Sequence, residues 1–171
     1  MTERVVVSTT KIKDVALRED YTDLLHEVQE YAQSFLYEMY GMELTIPIRM
    51  NGRLKRAIGR LTYKHQNGRW VSDAIELSKE QISWAMLDDN MEFILNVVRH
   101  ELVHYVFSER GLDHLSDGSA EFEAELQRVN AMSTGTNGYF LRYKRTGGDT
   151  WYKWNEWQPD KALIELYYSH A

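Results

Sequence analysis

Residues 90–109 read NMEFILNVVRHELVHYVFSE, and this segment predicts one long helix. Its apolar residues recur at steps of three and four, which is the period of a single helix face. They are Met91, Ile94, Leu95, Val98, Leu102, Tyr105 and Val106. Gly111 suits the C-terminal end of such a helix, because glycine readily adopts the left-handed conformation found there.

The same segment contains the pattern His100-Glu101-Leu102-Val103-His104. Two histidines four residues apart on a helix present their imidazoles on one face, one turn apart. Two such nitrogens can bind one zinc ion at about 2.0–2.1 Å each. Glu101 lies beside that face, where its carboxylate can act as general base towards a zinc-bound water whose pKa falls to about 7. The competing interpretation is two half-buried histidines and a surface glutamate without a metal.

A catalytic zinc usually has three protein ligands and a water, so a third ligand is expected downstream. The candidates are His114, Asp117, Glu121 and Glu125. The glutamates are also explained as the solvent face of the next helix. Asp117 is equally explained as a capping residue or dipole partner just before that helix.

The rest of the chain predicts a mixture of helices and strands. A helix is expected over 18–40, ending at Gly41, and a strand over 44–48. Residues 56–63 and 70–77 are expected to pair as a hairpin across Gln66-Asn67-Gly68, since Asn-Gly favours tight turns. Ser78 and Gln81 resemble a capping box that opens a short helix. A further helix follows the loop 112–118, with these residues on one face: Phe122, Leu126 and Val129.

The C-terminal stretch is aromatic-rich, and Gly147-Gly148-Asp149 predicts a turn between two strands there. The fold class expected from the whole pattern is α+β, because strands and helices do not alternate regularly. We expect one main domain over 1–135. A β-rich extension over 136–171 should pack on the same domain.

Composition excludes several kinds of protein. With no cysteine among 171 residues, disulfides, thiolate metal sites and cysteine nucleophiles are ruled out. No apolar run is long enough to cross a bilayer, and the N-terminus lacks a signal-peptide pattern, so a cytoplasmic location is expected. The net charge is -6, yet residues 44–72 contain seven cations and no acid. This basic segment, Arg49 to Arg69, is either a DNA-facing surface or a solvated sheet face balanced by acidic helices.

The pattern resembles the SprT-like metallopeptidase family, which includes bacterial SprT proteins and the eukaryotic protease Spartan. Three features carry the resemblance: the order of elements with Ile75-Glu76-Leu77-Ser78 ahead of the motif helix, the motif His100 to His104, and the segment Asp117-Gly118-Ser119-Ala120-Glu121-Phe122. It covers roughly residues 20–130.

The resemblance implies a zincin-like core and a zinc peptidase that acts on a protein or peptide, with one zinc per chain. By position, His100 and His104 would be ligands and Glu101 the catalytic base. Asp117 falls where the family has its third histidine, and His114 is the substitute if the loop folds differently. Relatives of the Spartan type cleave proteins crosslinked to DNA, so association with DNA is also implied.

The chain departs from the family at its C-terminus, where many relatives have a zinc ribbon held by cysteines. The hairpin of aromatic residues is expected to replace that metal by packing; a stacking platform for single-stranded nucleic acid is the alternative. For the whole protein, the alternatives to a peptidase are a scaffold with a structural metal and a nucleic-acid-binding protein with a degenerate metal site.

Overall fold

The computed structural model describes residues 21–54, 57–87, 91–131, 144–146 and 149–151. In chain order these contain α1 (Tyr21–Tyr40), β1 (Ile48–Asn51), β2 (Gly59–Gln66), β3 (Arg69–Ser78), α2 (Lys79–Leu87), α3 (Met91–Glu109), α4 (Ala120–Arg128), β4 (Lys144–Thr146) and β5 (Asp149–Trp151). The fold class is α+β, with four helices and a small mixed sheet in the described part of the chain.

The main sheet has the strand order β1-β3-β2, with β1 parallel and β2 antiparallel to the central strand β3. Ile75 and Leu77 of β3 are fully buried against the helices. Strands β2 and β3 join through Asn67 and Gly68, whose φ angles of 52° and 79° are those of a two-residue turn with both central residues left-handed. The predicted hairpin is confirmed. Its first strand is Gly59–Gln66 instead of 56–63, and its second is one residue longer at each end than the predicted 70–77.

The strand predicted over 44–48 was wrong in its bounds, because β1 begins only at Ile48. The backbone of Leu44 instead bonds to the Gln33 side chain, which accepts from Leu44 N at 3.0 Å and donates to Leu44 O at 2.9 Å. Thr45 N donates to the Tyr105 hydroxyl at 3.3 Å. Side chains of α1 and α3 therefore satisfy these backbone groups, and pairing with β3 starts where Pro47 O accepts from Ile75 N at 2.9 Å.

The helix predictions are confirmed within the described residues. Helix α1 ends at Tyr40, and the following Gly41 has a φ of 62° and donates to Tyr37 O at 2.9 Å. Ser78 caps α2 by accepting from Gln81 N at 3.3 Å. Helix α3 ends before Gly111, whose φ is 71°. In this part of the chain, no helix is both long and apolar enough to span a bilayer.

Helix α3 packs against the other three helices, α1, α2 and α4, and against strands β2 and β3. Its buried Arg99 donates three hydrogen bonds: to Asn130 O at 3.0 Å, to the Tyr31 hydroxyl at 2.8 Å and to Glu92 Oε1 at 2.8 Å. Tyr31 belongs to α1 and Asn130 follows α4. This one guanidinium therefore connects three helices, and it fixes the end of α4 against α3.

The C-terminal strands β4 and β5 pair antiparallel, in the place where two strands were predicted. Asp149, which was assigned to the turn, is the first residue of β5. The predicted domain boundary at residue 135 lies outside the described residues, as do Trp154, Trp157 and most of the aromatic stretch.

Glu76, on the central strand β3, forms ion pairs with one arginine on each neighbouring strand. It faces Arg49 of β1 and Arg60 of β2 in register, and its carboxylate accepts from both guanidiniums at 2.9 and 2.8 Å and from Asn51 at 3.1 Å. Burial opposes ionisation of this carboxyl, but the hydrogen bonds from Arg60, Arg49 and Asn51 outweigh it and lower the pKa of Glu76.

We expect Glu76→Gln to lower the free energy of unfolding by about 1–2 kcal/mol at pH 7, because it removes a carboxylate that is hydrogen-bonded to two arginines. The loss stays modest because solvent screens both arginine side chains, which are half exposed. The folded-state pKa lies below the unfolded one. The contribution of Glu76 is therefore present above the usual glutamate pKa of about 4.3 and is lost as the pH falls below it. Urea unfolding at pH 7 and pH 3.5 should show the gap between wild type and variant shrinking in acid.

The matched control is Asp73→Asn, because the Asp73 carboxylate lies 3.7 Å from Lys64 in a more exposed pair. That substitution should change the free energy of unfolding by less than about 0.5–1 kcal/mol at either pH. A gap for Glu76→Gln that is the same at both pH values would contradict the assignment.

Candidate metal centre

His100 and His104 lie one turn apart on α3, with ring centroids 5.0 Å apart. His100 is 2 % exposed, whereas His104 is partly open to solvent. The predicted placement of both imidazoles on one helix face is confirmed.

Asp117, in the loop between α3 and α4, brings a carboxylate oxygen to both imidazoles. Its Oδ1 lies 3.1 Å from His100 Nε2 and 3.0 Å from His104 Nε2. These three ligand atoms all lie within 4.8 Å of one another, and no other metal-binding group of this kind occurs among the residues that the structure describes. The loop therefore folds so that Asp117 reaches the histidines across thirteen residues of sequence.

The start of α4 holds this loop against α3. The fully buried Phe122 ring stacks on His104 at a centroid distance of 4.2 Å and meets His100 edge-on at 5.6 Å. Ser119 is the N-cap, and its hydroxyl accepts from Phe122 N at 3.3 Å. Gly118, with a φ of 87°, donates its N–H to Glu123 Oε1 at 2.9 Å. Aromatic packing and capping together set the position of Asp117.

The Asp117 carboxyl is held in its ionised form. Partial burial opposes ionisation, but hydrogen bonds and charge from His100 and His104 outweigh it and hold the pKa of Asp117 well below its usual range. An anionic oxygen is thus present between the two imidazoles. A divalent cation requires this charge state of a carboxylate ligand, and it requires the two imidazoles to be neutral.

Glu101 is buried on α3 with an exposure of 6 %. It lies next to the cluster of His100, His104 and Asp117 but is not a member of it. Burial raises the pKa of its carboxyl, while the charges of His100 and His104 and a hydrogen bond from the Leu61 backbone act in the opposite direction. A carboxyl whose affinity for a proton is raised by burial is suited to accept and return one.

The residues fit a divalent metal by geometry and by chemistry. Two ligands in a tetrahedral zinc site with bonds of 2.0–2.1 Å are about 3.3 Å apart. The nitrogen–oxygen distances of 3.0 and 3.1 Å are close to that separation. Imidazole nitrogens and a carboxylate oxygen are also donors that zinc accepts.

The position and contacts of each side chain distinguish between the candidates for the third ligand. His114 is exposed and lies outside the group. Glu121 is exposed, and Glu125 pairs with Arg128 on its own helix. Ser119, and not Asp117, caps α4. Of the residues considered from sequence, the structure brings only Asp117 to the two histidines.

The contribution of β2 to the site is not evident from the sequence. Gly59 and Leu61 of this strand lie against Glu101, although they precede it by about forty residues. No local pattern marks either residue, because the contact arises only when β2 packs beside α3.

The chain was compared with protein-family models, with curated proteins and with solved structures. None of them matches it. The resemblance to the SprT-like family therefore remains a prediction carried by the motif residues.

Proposed function

We propose that this protein is a zinc-dependent peptidase with a zincin-like core, similar to the SprT-like metallopeptidases. One observation carries the proposal: His100, His104 and Asp117 converge while the buried carboxyl of Glu101 lies beside them. Two imidazoles and a carboxylate with a neighbouring general base are what metal-assisted hydrolysis requires of a protein.

The roles of the residues follow from their positions. His100, His104 and Asp117 would hold one zinc ion, which when bound supplies a Lewis acid that lowers the pKa of a coordinated water to about 7. Glu101 takes up the proton as water attacks the peptide carbonyl. It then gives that proton to the leaving amine, so the base is restored after each cycle.

The number of ligands favours catalysis over a scaffold role. Structural zinc sites usually have four protein ligands, whereas catalytic sites have three and keep one position for water. Three side chains form the group among the described residues, and His114, the side chain that would close a fourth position, is not a member.

The proposed substrate is a protein or peptide, and DNA association through the basic segment remains a prediction. Three of its seven cations have acidic partners in the sheet: Arg49 and Arg60 share Glu76, and Lys64 lies 3.7 Å from Asp73. Lys55 and Arg56 lie outside the described residues. At the hairpin end, Trp70 is 67 % exposed next to Arg69, a combination that suits base stacking beside a phosphate.

The test is digestion of a mixture of unfolded proteins by the zinc-loaded protein, with new termini identified by mass spectrometry. We expect cleavage that stops when a chelator removes zinc and returns when zinc is restored. A diverse mixture is used because it presents many different peptide bonds. Cleavage that is insensitive to chelator, or no cleavage at all by a preparation with zinc bound, would argue against a zinc-dependent peptidase.

A further inference from the structure

Gly59, the first residue of β2, lies directly against Glu101. A methyl group at this position would be 3.0 Å from Val97 Cγ1, 3.2 Å from Glu101 Cγ and 3.5 Å from Glu101 Oε1. The first two distances are shorter than the van der Waals separation of about 3.5–4.0 Å between carbon atoms. The φ of Gly59 is not in the left-handed region, so the backbone does not require glycine here. The requirement is for space.

Strand β2 and helix α3 cannot easily move apart to make that space. Gly59 pairs with Leu77 of β3, and the adjacent Ser78 N donates to Ile58 O at 2.7 Å. Val97 is buried at 3 % exposure on the central helix α3. The Glu101 side chain is the softest of these neighbours, because it has three rotatable bonds, whereas the β-branched Val97 is held to one preferred χ1 rotamer in a helix. A larger residue at position 59 would therefore displace the Glu101 side chain.

The Leu61 backbone of the same strand also lies close enough to this carboxylate to favour its ionised form. The missing Cβ of Gly59 and the polar backbone of Leu61 thus act on one side chain from one strand. Together they restrict Glu101 to the space beside the histidines.

We infer that Gly59 is a positioning residue for Glu101: the absence of a side chain on β2 sets where the proposed general base lies relative to His100, His104 and Asp117. This inference rests on the proposed function for its consequence in catalysis. The placement of the Glu101 carboxyl, in contrast, can be measured without any substrate.

The test compares Gly59→Ala with Gly52→Ala. Gly52 is a matched control, because a methyl group there would meet only Lys79 Cδ at an ordinary 3.8 Å. Each zinc-loaded variant is labelled with ¹³C at the glutamate carboxyl carbons, and the Glu101 resonance is assigned by its loss in Glu101→Gln. We expect Gly59→Ala to shift this resonance and Gly52→Ala to leave it in place, with both variants retaining zinc.

Turnover supplies the second measurement. A displaced base should lower kcat by about tenfold or more while KM changes little, since substrate contacts are not altered. The double variant Gly59→Ala/Val97→Ala should recover part of kcat and of the resonance position, because it removes the Val97 methyl nearest the new one. The double variant also serves if the single one does not fold.

An unshifted Glu101 resonance in folded Gly59→Ala would overturn the inference, whatever the turnover. If that variant does not fold, the double variant is compared with Val97→Ala, and the same Glu101 resonance position in both would overturn it. A shifted resonance with unchanged kcat would overturn the catalytic consequence. If wild type itself cleaves nothing, the proposed function fails separately, and the resonance measurement still decides whether Gly59 positions Glu101.

Discussion

Replacing Glu101 with glutamine is expected to abolish peptide hydrolysis while the protein still binds zinc. Glutamine has nearly the same shape as glutamate and can still accept a hydrogen bond from the Leu61 backbone. It cannot take a proton from water. Loss of a general base typically costs a factor of about 10²–10⁴ in rate, so cleavage of the protein mixture should fall to background.

Two further measurements separate this result from simple damage to the fold. The glutamine variant should unfold at the same or a higher urea concentration than wild type, because it removes a charge-bearing group that is only 6 % exposed. The matched control is Glu109→Gln, at the exposed end of the same helix, which should retain full activity. Equal cleavage by Glu101→Gln and wild type would refute the role assigned to this residue.

The second large effect is expected at Asp117. Asp117→Ala removes the carboxylate of the proposed zinc site and should weaken zinc binding by at least about 100-fold, because even the loss of groups that merely orient metal ligands costs about 10–100-fold. Competition with a chelator of known zinc affinity measures this loss. Asp113→Ala is the control, since that residue is in the same loop but outside the group.

A histidine at position 117 should keep the site. The SprT-like pattern has histidine at the corresponding place, and an imidazole nitrogen is a good zinc ligand. Asp117→His is therefore expected to bind zinc far more tightly than Asp117→Ala. If both variants bind zinc as wild type does, the third ligand is another residue, and His114→Ala would be the next variant to measure.

Local sequence signals predicted most of the helices and the hairpin turn. Apolar periodicity placed α3 within one residue of its observed start, and Asn67-Gly68 located the turn because few other residues accept two successive positive φ angles. The start of β1 could not be predicted in this way. It depends on Gln33 and Tyr105, which satisfy the backbone of residues 44 and 45 from distant parts of the chain.

At the site, too, local features could be predicted from the sequence and features that depend on distant contacts could not. The histidine pair follows from helical spacing, which is a local property. Asp117 could be preferred over His114 only through the resemblance, because the loop conformation depends on Phe122 packing against His104. Gly59 gave no signal at all, since its importance lies in a contact with a residue forty-two positions later.

The central claim, that His100, His104 and Asp117 hold a metal, is tested most directly by metal content. The purified protein is dialysed against dilute zinc and then against metal-free buffer, and bound metal is measured by elemental mass spectrometry beside the variant His104→Ala. We predict about one zinc per chain in wild type and almost none in the variant. Wild-type protein that retains no more zinc than His104→Ala would contradict the account.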